Sequence, residues 1–224
     1  MTTSGAQVPP IHDALVARLK ADVGPLRPLW PPSVRLAFWL GVAAAVVAGA
    51  TQLGLRHDIG RQLGQPLYLL EIAALLGAGV LAAAAALLAA VPGRGGRGLS
   101  GLALILAVGA VAILGYEASS TAVSREAFIT DGLPCIFYVA AYGLLPWAAL
   151  FIATARAAPL DGRAVGVYAG GAAFLVGAAA VRVACPIDDP LHVLVWHMPA
   201  IALWSCLSGA AGAAWLERWR RTAA

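Results

Sequence analysis

At 224 residues, with 61% hydrophobic and only 12% charged side chains, the chain lies far from a soluble domain, whose charged fraction is about 25%. A mean hydropathy of +0.82 marks an integral membrane protein. The formal charge of +4 and the isoelectric point near 9.3 do not point to nucleic acid, because the basic residues are scattered among membrane-flanking segments and form no stripe.

Residues 1–33 differ from everything after them. Ile11, Leu15, Leu19 and Val23 recur every fourth position, with Asp13, Arg18, Lys20 and Asp22 interleaved, the pattern of an amphipathic helix. The stretch Gly24-Pro-Leu-Arg-Pro-Leu-Trp-Pro-Pro32 follows; its prolines hold an extended, stiff course. There Leu26, Leu29 and Trp30 offer apolar anchors and Arg27 a polar one. A helix lying on the membrane surface would show the same stripe. Two acids against two bases on the polar face supply no basic excess for anionic lipid, so a protein partner is the better reading. About 33 mixed polar and proline-rich residues exceed the n-region of a signal peptide, and the segment is expected to be retained.

Six apolar runs follow, at about 34–55, 66–91, 100–118, 132–155, 165–184 and 191–216, each near the 20 residues that a helix needs to cross hydrocarbon. They predict an all-α polytopic membrane protein with six transmembrane helices over 34–216, preceded by the amphipathic segment and followed by a basic tail at 217–224. The second and sixth runs are longer than a core of roughly 30 Å requires and are expected to tilt, kink or protrude. Pro146 and Pro199 should bend their helices, and the many glycines should let backbones approach closely. An even number of spans puts both ends on one side. That side carries eleven Lys and Arg against four, which predicts cytoplasmic termini.

The polar residues of the spans share one address, the predicted outer edge. Glu71, Glu117, Arg182 and His197 lie there, with Cys135 in Asp131-Gly-Leu-Pro-Cys135 and Cys185 in Cys185-Pro-Ile-Asp-Asp-Pro-Leu-His192. Each costs several kcal/mol in lipid and asks for a reason. Cys135 and Cys185 as thiolates, with His192, His197, Asp189 or the thioether of Met198, form a candidate metal site. Thiolate and thioether suit Cu(I), the favoured ion, while thiolate with imidazole suits Zn(II) or Cd(II). His192 and His197 are five apart, about 140° around an α-helix, so one is expected to bind while the other packs. The rival chemistry is a reversible Cys135–Cys185 disulfide without metal, which needs Cα atoms within about 7 Å. In the bland reading His197 is a core histidine, Asp188 and Asp189 form a solvated turn and cap, and Cys135 and Cys185 are small apolar fillers. Cys206, deep in the sixth run, reads as a small core residue.

No nucleophile elbow, phosphate-cradling loop or paired intramembrane carboxylates are present, so the chain is not expected to be an enzyme. A metal transporter or a redox membrane enzyme remain as alternatives. The strings Leu15-Val-Ala-Arg-Leu-Lys-Ala-Asp22, Pro25-Leu-Arg-Pro-Leu29 and Pro32-Ser-Val-Arg35, the six spans, and Cys185-Pro-Ile-Asp-Asp-Pro-Leu-His-Val-Leu-Val-Trp-His-Met-Pro199 together resemble the NrsF-type membrane anti-sigma factors over nearly the whole length. The resemblance implies a bacterial inner-membrane protein whose cytoplasmic N-terminal segment binds an extracytoplasmic-function sigma factor. It also implies periplasmic cysteines, matched here by Cys135 and Cys185, that take part in sensing metal or oxidative stress.

Overall fold

The computed structural model describes residues 10–22, 28–53, 56–119, 125–157, 159–187 and 189–217, and among them every regular element is helical. The chain divides into two compact units, before and after Trp30. The first contains α1 (Pro10–Asp22), on which Leu15, Val16 and Leu19 are exposed. Leu29 and Trp30 are exposed as well. Val23, Leu26 and Arg27 lie outside the described residues, as does the side chain of Ile11.

The second unit holds six helices long and apolar enough to cross a membrane: α2 (Pro32–Leu53), α4 (Pro66–Ala89), α5 (Arg97–Ala118), α6 (Arg125–Ala155), α7 (Gly162–Ala184) and α9 (Met198–Trp215). A short helix, α3 (Ile59–Gln62), sits in a connection, and another, α8 (Pro190–His192), opens the sixth span, which runs over Pro190–Trp215. Helices are what lipid demands, since hydrocarbon offers no partner to a free N–H or C=O. Their ends follow from local chemistry. Pro66 at the first turn of α4 gives up only a donor that would be unpaired there. Asp161 caps α7 by accepting from the Ala164 N–H at 2.9 Å; such a cap contributes about 1 kcal/mol.

α7 is the axis of the bundle. It packs against α2, α4, α6 and α9, and 78% of its spanning window is buried, against 17% for α5, which leans on α4. Exposed Leu104, Ile105 and Val108 on α5 present an apolar surface suited to lipid. Small residues make the close contacts. A Cβ on Gly170 would stand 2.6 Å from Ser208 Cβ, and one on Gly177 would meet the Val139 carbonyl at 2.5 Å. Indole N–H groups tie the helices across these seams: Trp39 donates to the Pro146 carbonyl at 3.0 Å, Trp204 to the Ile136 carbonyl at 3.2 Å, and Trp147 to Ser208 Oγ at 2.7 Å.

Two expectations change. Cys135 stands well inside a helix instead of at its mouth, because α6 begins at Arg125 and runs through Pro134 as well as Pro146. A single proline removes one backbone bond, and the helix continues on both sides of it. Cys206 is exposed, not a core filler, because α9 turns Ser205, Ser208 and Gly209 to α7 and leaves residue 206 on the outer face.

Candidate metal centre

Proline placement builds the connection after α7. Cys185 precedes Pro186, and a residue before proline is pushed out of the α region; it is extended, with φ −67° and ψ 123°. Asp189 precedes Pro190 and is extended in turn, with φ −94° and ψ 115°, while its carboxylate accepts from the Leu191 N–H at 3.0 Å to cap α8. The chain then enters a single π-helical turn, Val193–His197, in which the Met198 N–H reaches back five residues to the Val193 carbonyl.

That turn decides the site. Residues five apart diverge on an α-helix but return to one face when the hydrogen bond spans five residues. The rings of His192 and His197 accordingly lie 5.4 Å apart, edge to face. The sequence expectation of one binding and one packing histidine assumed α geometry throughout. Both imidazoles instead face the cysteines.

Ligand atoms of Cys135, Cys185, His192 and His197, all four residues buried, lie within 4.8 Å of one another. Cys135 Sγ is 3.4 Å from His192 Nε2, close to the edge of about 3.5 Å that tetrahedral zinc sets between a sulfur at about 2.3 Å and a nitrogen at about 2.0 Å. His197 is fully buried, yet neither ring nitrogen meets a hydrogen-bond partner among the described residues. Leaving such a group unsatisfied costs about 1–3 kcal/mol, which makes His197 a candidate ligand. The donor set fits a thiophilic d10 ion: two sulfurs and two nitrogens arranged for four-coordination. Hydrogen bonding from Cys135, with further help from His192, outweighs burial and holds the Cys185 thiol below its usual range, toward the thiolate that ligation requires.

The other sequence candidates stand elsewhere. Asp189 is occupied as a cap, and Met198 packs beside Leu75, Ala110 and Leu175 between α4, α5 and α7. Glu71 and Arg182 meet each other: Arg182 Nε lies 3.2 Å from both carboxylate oxygens, its guanidinium 4.8 Å from the centre of the Tyr68 ring. This buried pair braces the last turn of α7, one step before Cys185. Sequence reasoning passed over Tyr68 and Gly132. The second leaves no space for a Cβ beneath the Trp196 indole, so that ring lies across α6 next to Cys135; a glycine three residues before a cysteine carried no signal of it.

Across residues 19–219 the chain matches the family described as negative regulator of sigma F. It belongs to the NrsF family. As a member of that family it is a membrane-spanning negative regulator of a sigma factor, and a sigma factor is its partner. The chain matches no curated protein and no solved structure.

Proposed function

We propose that this NrsF-family protein is an anti-sigma factor of the inner membrane. It holds an extracytoplasmic-function sigma factor through its N-terminal unit, and releases it when a thiophilic ion engages Cys135, Cys185, His192 and His197 on the periplasmic side. The reading is carried by one observation: four buried ligand atoms, from α6, the end of α7, α8 and the π-helical turn, converge within 4.8 Å, and His197 among them has no other partner among the described residues. Two thiolates with two imidazoles favour Zn(II) or Cd(II) over Cu(I), which is content with fewer, softer donors. A disulfide uses only the sulfurs and gives the two buried imidazoles nothing to do. The distribution of Lys and Arg supports cytoplasmic termini, and with them a docking unit in the cytoplasm. The experiment is metal analysis of the purified protein beside a reporter for the sigma factor. Wild type should bind one ion per chain and induce; the Cys135→Ser/Cys185→Ser variant should bind none and stay repressed. Persistent induction in that variant would remove the ligand cluster from the account.

A further inference from the structure

The π-helical turn joins the ligand cluster directly to α9, and α9 has little freedom to move. Along α7, Gly166 and Gly170 face Ser205, Ser208, Gly209 and Gly212 so closely that a Cβ on Gly170 would come 2.8 Å from Ser205 Cα. Ser208 Oγ donates to the Gly166 carbonyl at 2.6 Å. At the far end Glu217 Oε1 accepts from the Gly162 N–H at 2.7 Å. A π turn holds one residue more than an α turn of the same segment. Relaxing it to α would withdraw His197 from the cluster and advance α9 by one residue, about 1.5 Å along its axis and about 100° around it. Trp204 and Leu207 would then arrive where Ser205 and Ser208 now sit. The glycines of α7 have no space for them, so α9 must lift away. Pro199 eases the exchange, since it lacks the N–H that would otherwise close an α-helical bond to the Val195 carbonyl.

We propose that the Val193–His197 turn is a register switch: an ion held by all four ligands keeps the π register and the α7–α9 seam closed, and the α register opens that seam as far as Glu217. The inference rests on the metal reading above and adds how the site is read out. A ligand can shift such an equilibrium only through differential affinity for the two states, and here the difference is the His197 imidazole.

The test uses the full-length protein in detergent, labelled with 5-fluorotryptophan, with Zn(II) or chelator added. Trp204, which stacks at 6.1 Å on Phe174, and Trp215, at 6.4 Å from Phe151, report the register of α9 by their fluorine resonances. In wild type each should show one position with Zn(II) and a second, growing position with chelator. Deleting Val195, an exposed residue, places the histidines four apart, where an α-helix brings them to one face. That variant should still bind Zn(II) but show a single position throughout. Pro199→Ala restores the missing donor; it should populate the second position and weaken Zn(II) binding about fivefold, the worth of one net backbone hydrogen bond. The switch is overturned if wild type binds Zn(II) with no change at Trp204 or Trp215, or if the Val195 deletion keeps the two-position behaviour. Failure of wild type to take up Zn(II) at all overturns the metal reading and the switch with it.

Discussion

At the scale of single residues, an orphaned polar group carries a two-sided prediction. His197 is buried with both ring nitrogens unpartnered among the described residues, so without an ion the site carries an uncompensated desolvation cost, and with one it gains a ligand. His197→Leu, close in volume, should therefore raise the unfolding free energy in chelator by about 1 kcal/mol. The same change should weaken Zn(II) binding by more than about tenfold. A merely structural histidine would lose stability on the same substitution and leave metal affinity alone; thermal denaturation and competition titration separate the two. Asp58 gives a second test, in the connection between α2 and α4. Its carboxylate accepts from Arg56 Nε at 2.6 Å and from Arg61 Nη2 at 2.9 Å, and the hydrogen bond from Arg56, aided by Gln62 and Arg61, holds it well below the usual carboxylate range. A lowered folded pKa means stability that is complete above the ordinary value of about 3.9 and lost as pH falls through the folded value. Melting temperature should thus drop on acidification below about pH 4 more steeply in wild type than in Asp58→Asn, and parallel curves would refute the linkage.

At the scale of elements, glycines of one composition do opposite work, and only the structure separates them. A Cβ on Gly41 of α2 would have nothing within 4 Å, whereas one on Gly170 of α7 would press against Ser208 and Ser205. Gly41→Ala should stabilise by about 0.5–1 kcal/mol through helix propensity. Gly170→Ala should destabilise by about 1–3 kcal/mol through overpacking. Measured unfolding free energies of equal sign would contradict the seam. The Glu71–Arg182 pair binds α4 to α7 in the same bundle. Glu71→Gln removes the carboxylate that faces the buried Arg182 guanidinium and should lower stability by more than replacing both partners by apolar residues does. The six helices and the nearness of Cys135 to Cys185 were legible because apolar run length and the rarity of polar groups in lipid speak directly through sequence. The π turn was not. A five-residue interval between histidines looks mismatched under α periodicity, and nothing in Val193-Leu-Val-Trp-His197 marks the one extra residue; Pro199 was visible, but as a bend. Cys206 was misread for a related reason: depth along a helix follows from counting, whereas facing follows from which neighbour the small residues select.

At the scale of the whole molecule, the chain separates after Trp30 into two compact units, and under the proposed function they do separate jobs. The first unit exposes Leu15, Leu19, Leu29 and Trp30, the last at 64% of its surface, apolar area with no covering among the described residues of its own short helix. Aromatic anchors of this kind dominate protein interfaces. Trp30→Ala should weaken capture of the sigma factor about thirtyfold, the conversion of the roughly 2 kcal/mol that marks a hot spot, while Zn(II) binding stays at the wild-type value. Cys185→Ser should do the reverse, abolishing Zn(II) binding and leaving capture of the sigma factor in chelator unchanged. The two variants form a cross: binding measured by sigma-factor pull-down and by metal titration on each protein must dissociate in opposite directions. If Trp30→Ala also lost the ion, or Cys185→Ser also lost the sigma factor without metal present, the two units would not be carrying separate functions, and a transporter or a single composite binding site would describe the molecule better than a sensor joined to a docking arm.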